Sequence, residues 1–453
     1  MNSLTTSRDP NAGTVLSLAW PMTLKAVFLH GTVVIDGYLV SSLGETSLAA
    51  MGLAAATAGF VLGTIFAFSN ALQIRTAQAF GTGNKVFLKS VLASGLTTSV
   101  AICFVGLVLV ALVGSLLIDS LASSDQIAEL AWRYLSFFTL VIVGESIGQC
   151  LSSFFNGCGQ TRIPLYSFCL SVPINIAASI VLIHGLLGFP QFGVAGAAMG
   201  SAIAIGIQVA FLLVVLVLKH GSLRKIVGWY KTTFLATLGN HVKFSLPIAT
   251  TFISAIIATQ VCSLIYSRLS LNEFAAMTLI APWIMVAGTI GMQWAQATGI
   301  LVAQLLGKAS SEDLLDRFLS RAWRGAFIAA GFVAAIYGVL SVSSARIYPD
   351  LSAETHAALL SFLPILLLLP FPKGSNAICG NTLRASGDTI YVMHIFVWSQ
   401  WLFRVPATAL LILYFDVAAV WVLSLLLIEE LIKFPAFHRR LFRGQWKRAT
   451  VGA

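Results

Sequence analysis

The sequence predicts an all-α polytopic membrane protein with twelve transmembrane helices, arranged as two parallel six-helix repeats around a central cavity. Three observations predict this fold: the hydropathy of the chain, the recurrence of long apolar runs, and an internal repeat. Hydrophobic residues make up 58% of the 453 residues, charged residues make up 10%, and the mean hydropathy is +0.89. A chain of this composition requires lipid as its solvent.

Apolar runs long enough to cross a hydrocarbon layer of about 30 Å recur along the whole chain. Backbone groups cannot stay unpaired in lipid, and the runs are too long and too uniformly apolar for barrel strands, so we expect helices. The twelve predicted spans cover residues 14–38, 47–72, 88–117, 131–156, 163–187, 191–218, 242–266, 273–298, 320–343, 356–381, 389–413 and 416–438.

Lys and Arg residues are distributed unequally between the two sides of these spans. Of the 27, twenty-one fall on one side, three fall on the other, and three lie inside spans. Because basic loops stay in the cytoplasm, we expect a multi-pass protein of the cell inner membrane with both termini cytoplasmic. The basic residues form short clusters between apolar runs, so the net charge of +10 indicates topology and no nucleic-acid partner.

The two halves of the chain carry matching motifs at a nearly constant offset. LAWP ends at Pro21, and FSLP ends at Pro247. The motif AAM at Ala49 recurs with the same offset, and GQT at Gly159 is matched by GDT at Gly387 with an offset that has grown only slightly. Six spans per half return the chain to its starting side, so the halves enter the membrane with one orientation. This predicts a parallel repeat.

The repeat and the basic clusters together predict the domain organisation. The six cysteines lie in or at the ends of apolar segments without metal-ligand spacing, so we expect no metal site and no disulfide. We predict a cytoplasmic N-terminal segment (1–13), an N-terminal six-helix lobe (14–218), a basic cytoplasmic linker (219–241), a C-terminal six-helix lobe (242–438) and a basic cytoplasmic tail (439–453).

Charged residues inside the predicted spans are the candidates for function, because each costs a few kcal/mol in lipid unless it faces a cavity or a partner. They are Lys25, Asp36, Glu145, Lys373 and Arg404. Asp36, late in the first span, is either an acid at the outer interface or a cavity acid that alternates between protonated and ionised forms, which we favour. Lys25 lies eleven residues earlier and either faces the cavity or extends to the interface.

Glu145 and Lys373 have the same offset as the GQT and GDT motifs, so the duplication places them at equivalent positions of opposite lobes. Three arrangements stay open: a salt bridge across the cavity, separate contacts to a zwitterionic substrate, and local pairing within each lobe. Gln293 and Gln296 flank a tryptophan and either line the substrate cavity or mark the interfacial end of a helix.

Prolines predict interruptions of two spans. The tenth span contains Pro364, Pro370 and Pro372 just before Lys373, a density that a straight helix does not tolerate, so we expect a broken helix there. Unwound backbone at membrane depth is tolerated where it lines a cavity. Pro21 either bends the first span or occupies its first turn.

The motifs described above resemble the multidrug and toxic compound extrusion (MATE) family over nearly the whole chain. The residues that carry the resemblance are LAWP followed by Asp36, then GETSLAAMGLA, AQAFGTGNK, NGCGQTRIPLY and FGVAGAAMGSAIA, with FSLPI, NEFAAMTLIAP, VAQLLGKA and TLRASGDT in the second half. The stretch VPINIAASIVLIHGLLGFPQFGVAGAAMG is similar to the bacterial NorM-like branch, which also has an asparagine at the position of Asn175.

The resemblance implies an export cycle that alternates between outward-facing and inward-facing states, driven by protons or sodium ions. It implies that Asp36 is the coupling acid of the first helix and that Asn175 is a polar residue beside it. Ala255 and Lys373 stand where NorM-like proteins place acids of a C-terminal cation site. The loss of those acids favours protons over sodium, and a lysine in the cavity favours anionic or zwitterionic cargo.

We therefore predict a secondary active efflux transporter that antiports a small organic compound, such as a drug, toxin or natural product, against inward proton flow by alternating access. We expect a monomer without a cofactor, whose partners are its substrate and the bilayer. One alternative is a lipid-linked precursor flippase of the same superfamily, which usually has a more basic cavity. Another is an integral membrane transferase, which the scattered histidines and the lack of a nucleophile motif disfavour.

Overall fold

The computed structural model of the chain describes residues 10–221 and 234–448. Parts of the predicted N-terminal segment, basic linker and C-terminal tail lie outside these residues. Within them the chain is helical, and no strand occurs. The predicted all-α class is confirmed.

The first part of the described chain forms long helices, namely α1 (Ala12–Ser41), α2 (Glu45–Gly81), α3 (Lys85–Leu121), α4 (Asp125–Gly157), α5 (Arg162–His184), α6 (Val194–His220), α7 (Leu235–Tyr266), α8 (Leu271–Gly307) and α9 (Glu312–Val342). Shorter helices follow, namely α10 (Ser344–Ile347), α11 (Ala353–Ser361), α12 (Leu363–Leu368), α13 (Pro370–Ala385), α14 (Thr389–Trp398) and α15 (Val405–Ala409), before the longer α16 (Ala419–Phe442). π-Helical turns at Ser399–Arg404 and Leu410–Tyr414 flank α15, and a 3₁₀ turn covers Gln445–Arg448.

Each predicted span corresponds to a helix or to a run of consecutive helices. In the described residues, α1 to α9 and the segment Thr389–Tyr414 are long and apolar enough to cross a membrane, and residues 353–385 form an eleventh span if the bent helices count as one. The twelfth predicted span is α16, whose apolar stretch contains Glu429, Glu430 and Lys433. Most helices extend past the predicted ends, because a helix continues beyond the hydrocarbon into the interface.

The predicted break in the tenth span is present, whereas the predicted break at Pro21 is not. α12 ends at Leu368, α13 begins at Pro370, and the two parts are bent by 43°. A proline at the first position of a helix sacrifices no internal hydrogen bond, which explains why α13 begins there. α1 instead runs through Pro21 as one helix. Neighbouring groups often compensate a single proline inside a membrane helix.

The helix bounds preserve the internal repeat. α2 and α8 both contain 37 residues. The first residues of the two helices, and also their last residues, are separated along the chain by the same distance as Pro21 and Pro247. α4 covers residues 125–157, and α11 to α13 cover residues 353–385, so both ends of these segments have the offset of Gly159 and Gly387. Such agreement of boundaries supports the two-repeat architecture that the sequence motifs predict.

The chain divides into two compact units at positions that also obey the repeat. Unit 1 contains Leu24–Ala249, whereas unit 2 contains the chain from Thr250 onward together with the segment that ends at Thr23. The two division points lie inside α1 and α7 and have the same offset as the prolines of these helices. The first turns of α1 therefore belong to unit 2 and the first turns of α7 to unit 1, unlike the predicted lobe boundaries at 14–218 and 242–438.

Each unit packs its helices in the same way. In unit 1, α2 packs against α3 and α4, and α4 packs against α3 and α6. In unit 2, α8 packs against α9 and α13, and α13 packs against α9 and α16. The buried core of unit 1 includes Ala50, Ala54 and Ala58 on one face of α2, and small residues of this kind let membrane helices approach closely.

The close approach that positions a functional residue is between α5 and α6. A Cβ atom added to Gly196 would lie 2.6 Å from the carbonyl oxygen of Leu182, and one added to Gly200 would lie 2.7 Å from the amide nitrogen of Ser179. Two glycines four residues apart are the usual contact motif of membrane helices. They bring Ser201, the residue after Gly200, against α5.

Candidate functional site

The acid predicted to couple transport to protons belongs to a polar cluster in unit 1. Asp36 lies on α1, Asn175 on α5 and Ser201 on α6. Asn175 Nδ2 donates to Ser201 Oγ at 2.8 Å, and the Ser201 hydroxyl donates to Asp36 Oδ2 at 3.2 Å. Ser201 therefore joins the two residues that the sequence predicts to act together.

Two acceptors of this cluster have no donor. Asp36 Oδ1 and Asn175 Oδ1 are buried and accept no hydrogen bond from the described part of the chain. A buried acceptor without a donor is costly, and a carboxylate charge raises that cost. A proton on Asp36 would remove the charge, so the arrangement has the chemistry of a site that binds and releases one proton.

A second cluster in unit 1 contains two predicted cavity residues. Lys25 Nζ donates to Gln149 Oε1 at 3.2 Å, and Gln149 Nε2 donates to Glu145 Oε2 at 2.8 Å. Glu145 and Gln149 lie four residues apart on α4, which places their side chains on one helix face. The Lys25 ammonium also lies 5.2 Å from the centre of the Phe168 ring. One amide thus links the opposite charges of α1 and α4.

Lys373 lies in the first turn of α13, just after the break. Together with residues of α8, α9 and α13 it lines a small pocket inside unit 2. Over residues 10–221 and 234–448, Lys373 has no salt bridge within 4 Å. Glu145 and Lys373 each have neighbours in their own unit, and their pairing with each other stays a prediction.

A buried ionic network in unit 2 surrounds the carboxylates of α16. Lys433 lies 3.3 Å from Glu429 and 2.7 Å from Glu430, while Arg404 lies 3.4 Å from Glu429. Asn376 Nδ2 donates to Glu430 Oε2 at 2.8 Å. Arg404 comes from a π-helical turn, a local irregularity that often marks functional positions.

The two glutamines predicted for the cavity lie on α8 and are partly buried. Neither Gln293 nor Gln296 lines the pocket around Lys373. Trp294 between them is a packing residue, because its Nε1 donates to the carbonyl of Ala322 at 2.9 Å and its ring covers Gly325. A substrate role for the glutamines stays a prediction.

The residue that precedes Ala255 has neutral hydrogen-bond partners. This residue, Ser254, donates to Gln400 Oε1 at 2.7 Å and accepts from Trp401 Nε1 at 2.9 Å. In the described ranges, no three His, Cys, Asp or Glu side chains come close enough together to hold a metal ion.

Sequence reasoning missed several residues of these clusters. Ser201 and Gln149 are neutral, so the search for charges in spans passes over them. Glu429 and Glu430 lie inside the twelfth predicted span and satisfy the rule that selects Asp36 and Glu145, so the same search contains the signal. Lys433, assigned to the cytoplasmic side, is only 3% exposed and belongs to the network.

Comparison with known proteins agrees with this architecture. A family model described as MatE matches residues 21–181 and again residues 247–410. The two matches begin at Pro21 and Pro247, the prolines that define the repeat.

Relatives resemble the chain over most of its length. The probable multidrug resistance protein NorM of Bradyrhizobium diazoefficiens is 27% identical over 90% of this chain and 88% of its own. The protein of the same name from Rhizobium meliloti is 25% identical over 81% of this chain and 79% of its own. A solved structure of a mutant of the Vibrio cholerae MATE transporter VcmN has the same fold, with a TM-score of 0.81 and 16% identity over 96% of this chain and 98% of that one. The chain belongs to the MatE family of membrane transporters.

Proposed function

We propose that this protein is a secondary active efflux transporter, which exports a small organic compound in exchange for inward-flowing protons by alternating access. The observation that carries the proposal is the Asp36 cluster, in which a carboxylate inside a span has one hydroxyl donor and one buried oxygen without a donor. Relatives named as multidrug resistance proteins support the direction of export.

The cluster offers a way to convert proton binding into a conformational bias. Ionised Asp36 accepts the Ser201 hydroxyl, and Ser201 in turn accepts from Asn175, so one chain of hydrogen bonds ties α1, α5 and α6. Protonation removes the charge that strengthens the first of these bonds. A second conformation of the transporter, in which α1, α5 and α6 are connected by other contacts, then becomes more populated. Transport by alternating access requires such a shift between two conformations.

The proposal includes an orientation and a cellular setting. The excess of Lys and Arg on one side of the spans supports cytoplasmic termini in the cell inner membrane. We also propose that the protein acts as a monomer. Protease accessibility of tags at the two ends, in intact and everted vesicles, tests the orientation.

Substitution of the acid tests proton coupling. In proteoliposomes with an imposed pH gradient, Asp36→Asn should reduce substrate-dependent proton flux to the level of empty liposomes, because an amide cannot bind and release the proton. The matched control is Asp350→Asn, which changes an exposed acid between α10 and α11 and should leave the flux unchanged. Wild-type flux in Asp36→Asn protein that is folded would remove Asp36 from the mechanism.

The identity of the coupling ion is tested separately. With the pH gradient fixed, replacement of all sodium by potassium should leave transport intact, because the proposed site uses a single carboxylate and neutral donors. A strict requirement for sodium would overturn proton coupling while leaving export itself in place.

A further inference from the structure

Unit 2 contains a pocket with one charged residue in its lining. The pocket lies between α8, α9 and α13 and has a volume of about 40 Å³. Gly288 and Gly291 of α8 and Ala330 of α9 form part of its wall, and Lys373 supplies the charge. A volume of this size holds about three water-sized groups, which is enough for the acidic head group of a larger molecule.

The carboxylates nearest to Lys373 already have partners. Glu429 is paired with Arg404 and Lys433 and accepts the Ser399 hydroxyl at 3.0 Å. Glu430 is paired with Lys433 at 2.7 Å and accepts from Asn376 at 2.8 Å. Each carboxylate is held by two or more donors, and in the described residues neither forms a salt bridge with Lys373.

The ionic balance of the cluster leaves one positive charge without an opposite charge. Lys373 interacts electrostatically with four groups, Glu429, Glu430, Arg404 and Lys433. Three cations therefore face two anions, and in the part of the chain that the structure describes Lys373 is the cation that lacks an ion pair. A cation at membrane depth needs an anion or a water-filled cavity to offset its desolvation.

The repeat explains how the pocket arises. In unit 1, Gln149 connects Lys25 to Glu145 through hydrogen bonds. Its equivalent in unit 2 is Ala377, which lines the pocket. The counterpart of Lys25 is Thr251, so unit 2 has neither the bridging amide nor the charge at these two positions. The side-chain volume removed at Ala377 is part of the space that a ligand can occupy.

We propose that this pocket is a binding site for amphipathic organic anions, in which Lys373 holds a carboxylate or sulfonate and the wall of Gly288, Gly291 and Ala330 contacts the adjoining apolar part. The proposal rests on the proposed export function and names its substrate class. An organic cation is disfavoured because it would add a like charge to a cluster that is already positive. The aliphatic wall selects against small, strongly hydrated anions.

A pair of ligands with the same apolar body tests the assignment. The pair is 1-naphthoate and 1-naphthylmethylammonium, titrated by calorimetry into purified protein in phosphatidylcholine nanodiscs, with empty nanodiscs as the blank. Wild-type protein should bind the carboxylate about tenfold or more tightly than the ammonium ligand, as expected for one charge-assisted contact. Equal affinities would overturn the proposal.

Substitutions of Lys373 test how much its charge contributes to naphthoate binding. Lys373→Gln should weaken naphthoate binding about tenfold or more, whereas Lys373→Arg should stay within about threefold. Lys308→Gln, which changes an exposed lysine after α8, is the matched control and should bind as wild type. Naphthoate affinity that is unchanged in Lys373→Gln would show that this ammonium does not hold the anion.

A second variant tests the pocket without touching the charge. A Cβ atom added to Gly291 would meet no atom within 4 Å, so Gly291→Leu can fold while filling the pocket. It should weaken naphthoate binding about tenfold or more with Lys373 intact, and unchanged binding would overturn the location.

Asp36→Asn should still bind naphthoate. Loss of proton coupling with retained binding therefore refutes only the proposed function, and proton-driven transport without naphthoate binding refutes only the anion site.

Discussion

The fourth span of unit 1 and its repeat in unit 2 have the same length and equivalent packing partners but different backbones. α4 runs without interruption from Asp125 to Gly157, whereas the equivalent residues 353–385 are divided among α11, α12 and α13 with a bend of 43°. α4 packs against α2 and α6, and α13 packs against their counterparts α8 and α16. The framework of the duplication therefore tolerates a broken helix in one copy.

The charges of these two spans have diverged as well. Glu145 of α4 is linked through Gln149 to the opposite charge of Lys25. At the equivalent positions unit 2 has Lys373, Ala377 and Thr251, which cannot form such a link because alanine has no amide side chain and threonine has no charge. One copy holds a linked pair of opposite charges, and the other holds a cation that has no salt bridge in the described residues and lies beside a break.

The same contrast holds for the proposed coupling acid. Asp36 of α1 has Cys262 of α7 as its counterpart, and Cys262 contacts Thr408 Oγ1 at 3.8 Å. Unit 1 thus contains a carboxylate, the proposed proton site, while unit 2 has a thiol at that place. This difference supports a division of labour in which unit 1 binds the proton and unit 2 binds the cargo.

Introducing the proline of unit 2 at the equivalent position of unit 1 should have the largest effect on the free energy of unfolding. Ile142 is equivalent to Pro370 and is fully buried in α4. Ile142→Pro removes an amide donor, leaves the carbonyl of Phe138 without its helical partner and adds a steric clash. We expect the free energy of unfolding to fall by about 3 kcal/mol or more beyond the loss in Ile142→Ala, which isolates the side-chain term.

The reverse change should have little effect on stability. Pro370→Ala lies at the first position of α13, so the free energy of unfolding should stay within about 1 kcal/mol of wild type. Denaturation of purified protein in detergent measures both variants. A wild-type stability for Ile142→Pro would show that continuity of α4 does not distinguish the two copies.

Removal of one carboxylate from the unit 2 network should have the next largest effect. Glu429 is only 3% exposed and is held by Arg404, Lys433 and Ser399. Glu429→Gln removes the ion-pair partner of Arg404 and one of the two partners of Lys433, so the free energy of unfolding should fall by about 3 kcal/mol.

The matched control for this change is Glu129→Gln on α4, which alters an exposed acid and should stay within about 0.5 kcal/mol of wild type. The double variant Glu429→Gln/Arg404→Gln should recover part of the loss, because one unpaired cation is removed with its partner. Equal stability of Glu429→Gln and the control would show that the network is solvated and not buried.

The architecture could be predicted from the sequence because it depends on local composition and on the repeat. Apolar runs predicted the spans, and three prolines near residue 370 predicted the break between α12 and α13. Pro21 was predicted either to bend α1 or to lie in its first turn, and it lies inside a helix that continues through it. The surrounding helices decide whether a helix continues past a single proline.

The partners of the site residues could not be predicted, because they depend on the rotation of each helix about its axis. Ser201 reaches Asn175 because Gly196 and Gly200 allow α6 to approach α5. Arg75 and Arg384 were assigned to the cytoplasmic side by the loop rule, yet they are 9% and 7% exposed and lie against phenylalanine rings. Charge alone does not separate a topology signal from a buried residue near a helix end.

The smallest predicted effect is the coupling that Gln149 carries between Lys25 and Glu145. A double-mutant cycle with Lys25→Met and Glu145→Gln should give a coupling free energy of about 1 kcal/mol, since the two charges meet through one shared amide and not in a direct ion pair. The cycle repeated in Gln149→Met protein should lose most of this coupling. The effects of Glu145→Gln and Lys373→Gln on the free energy of unfolding should instead be additive within about 0.5 kcal/mol, because each residue has neighbours in its own unit. A larger coupling between Glu145 and Lys373 than between Glu145 and Lys25 would replace local pairing with a salt bridge between the copies, and the contrast between a linked pair in one copy and a cation without a salt bridge in the other would then be wrong.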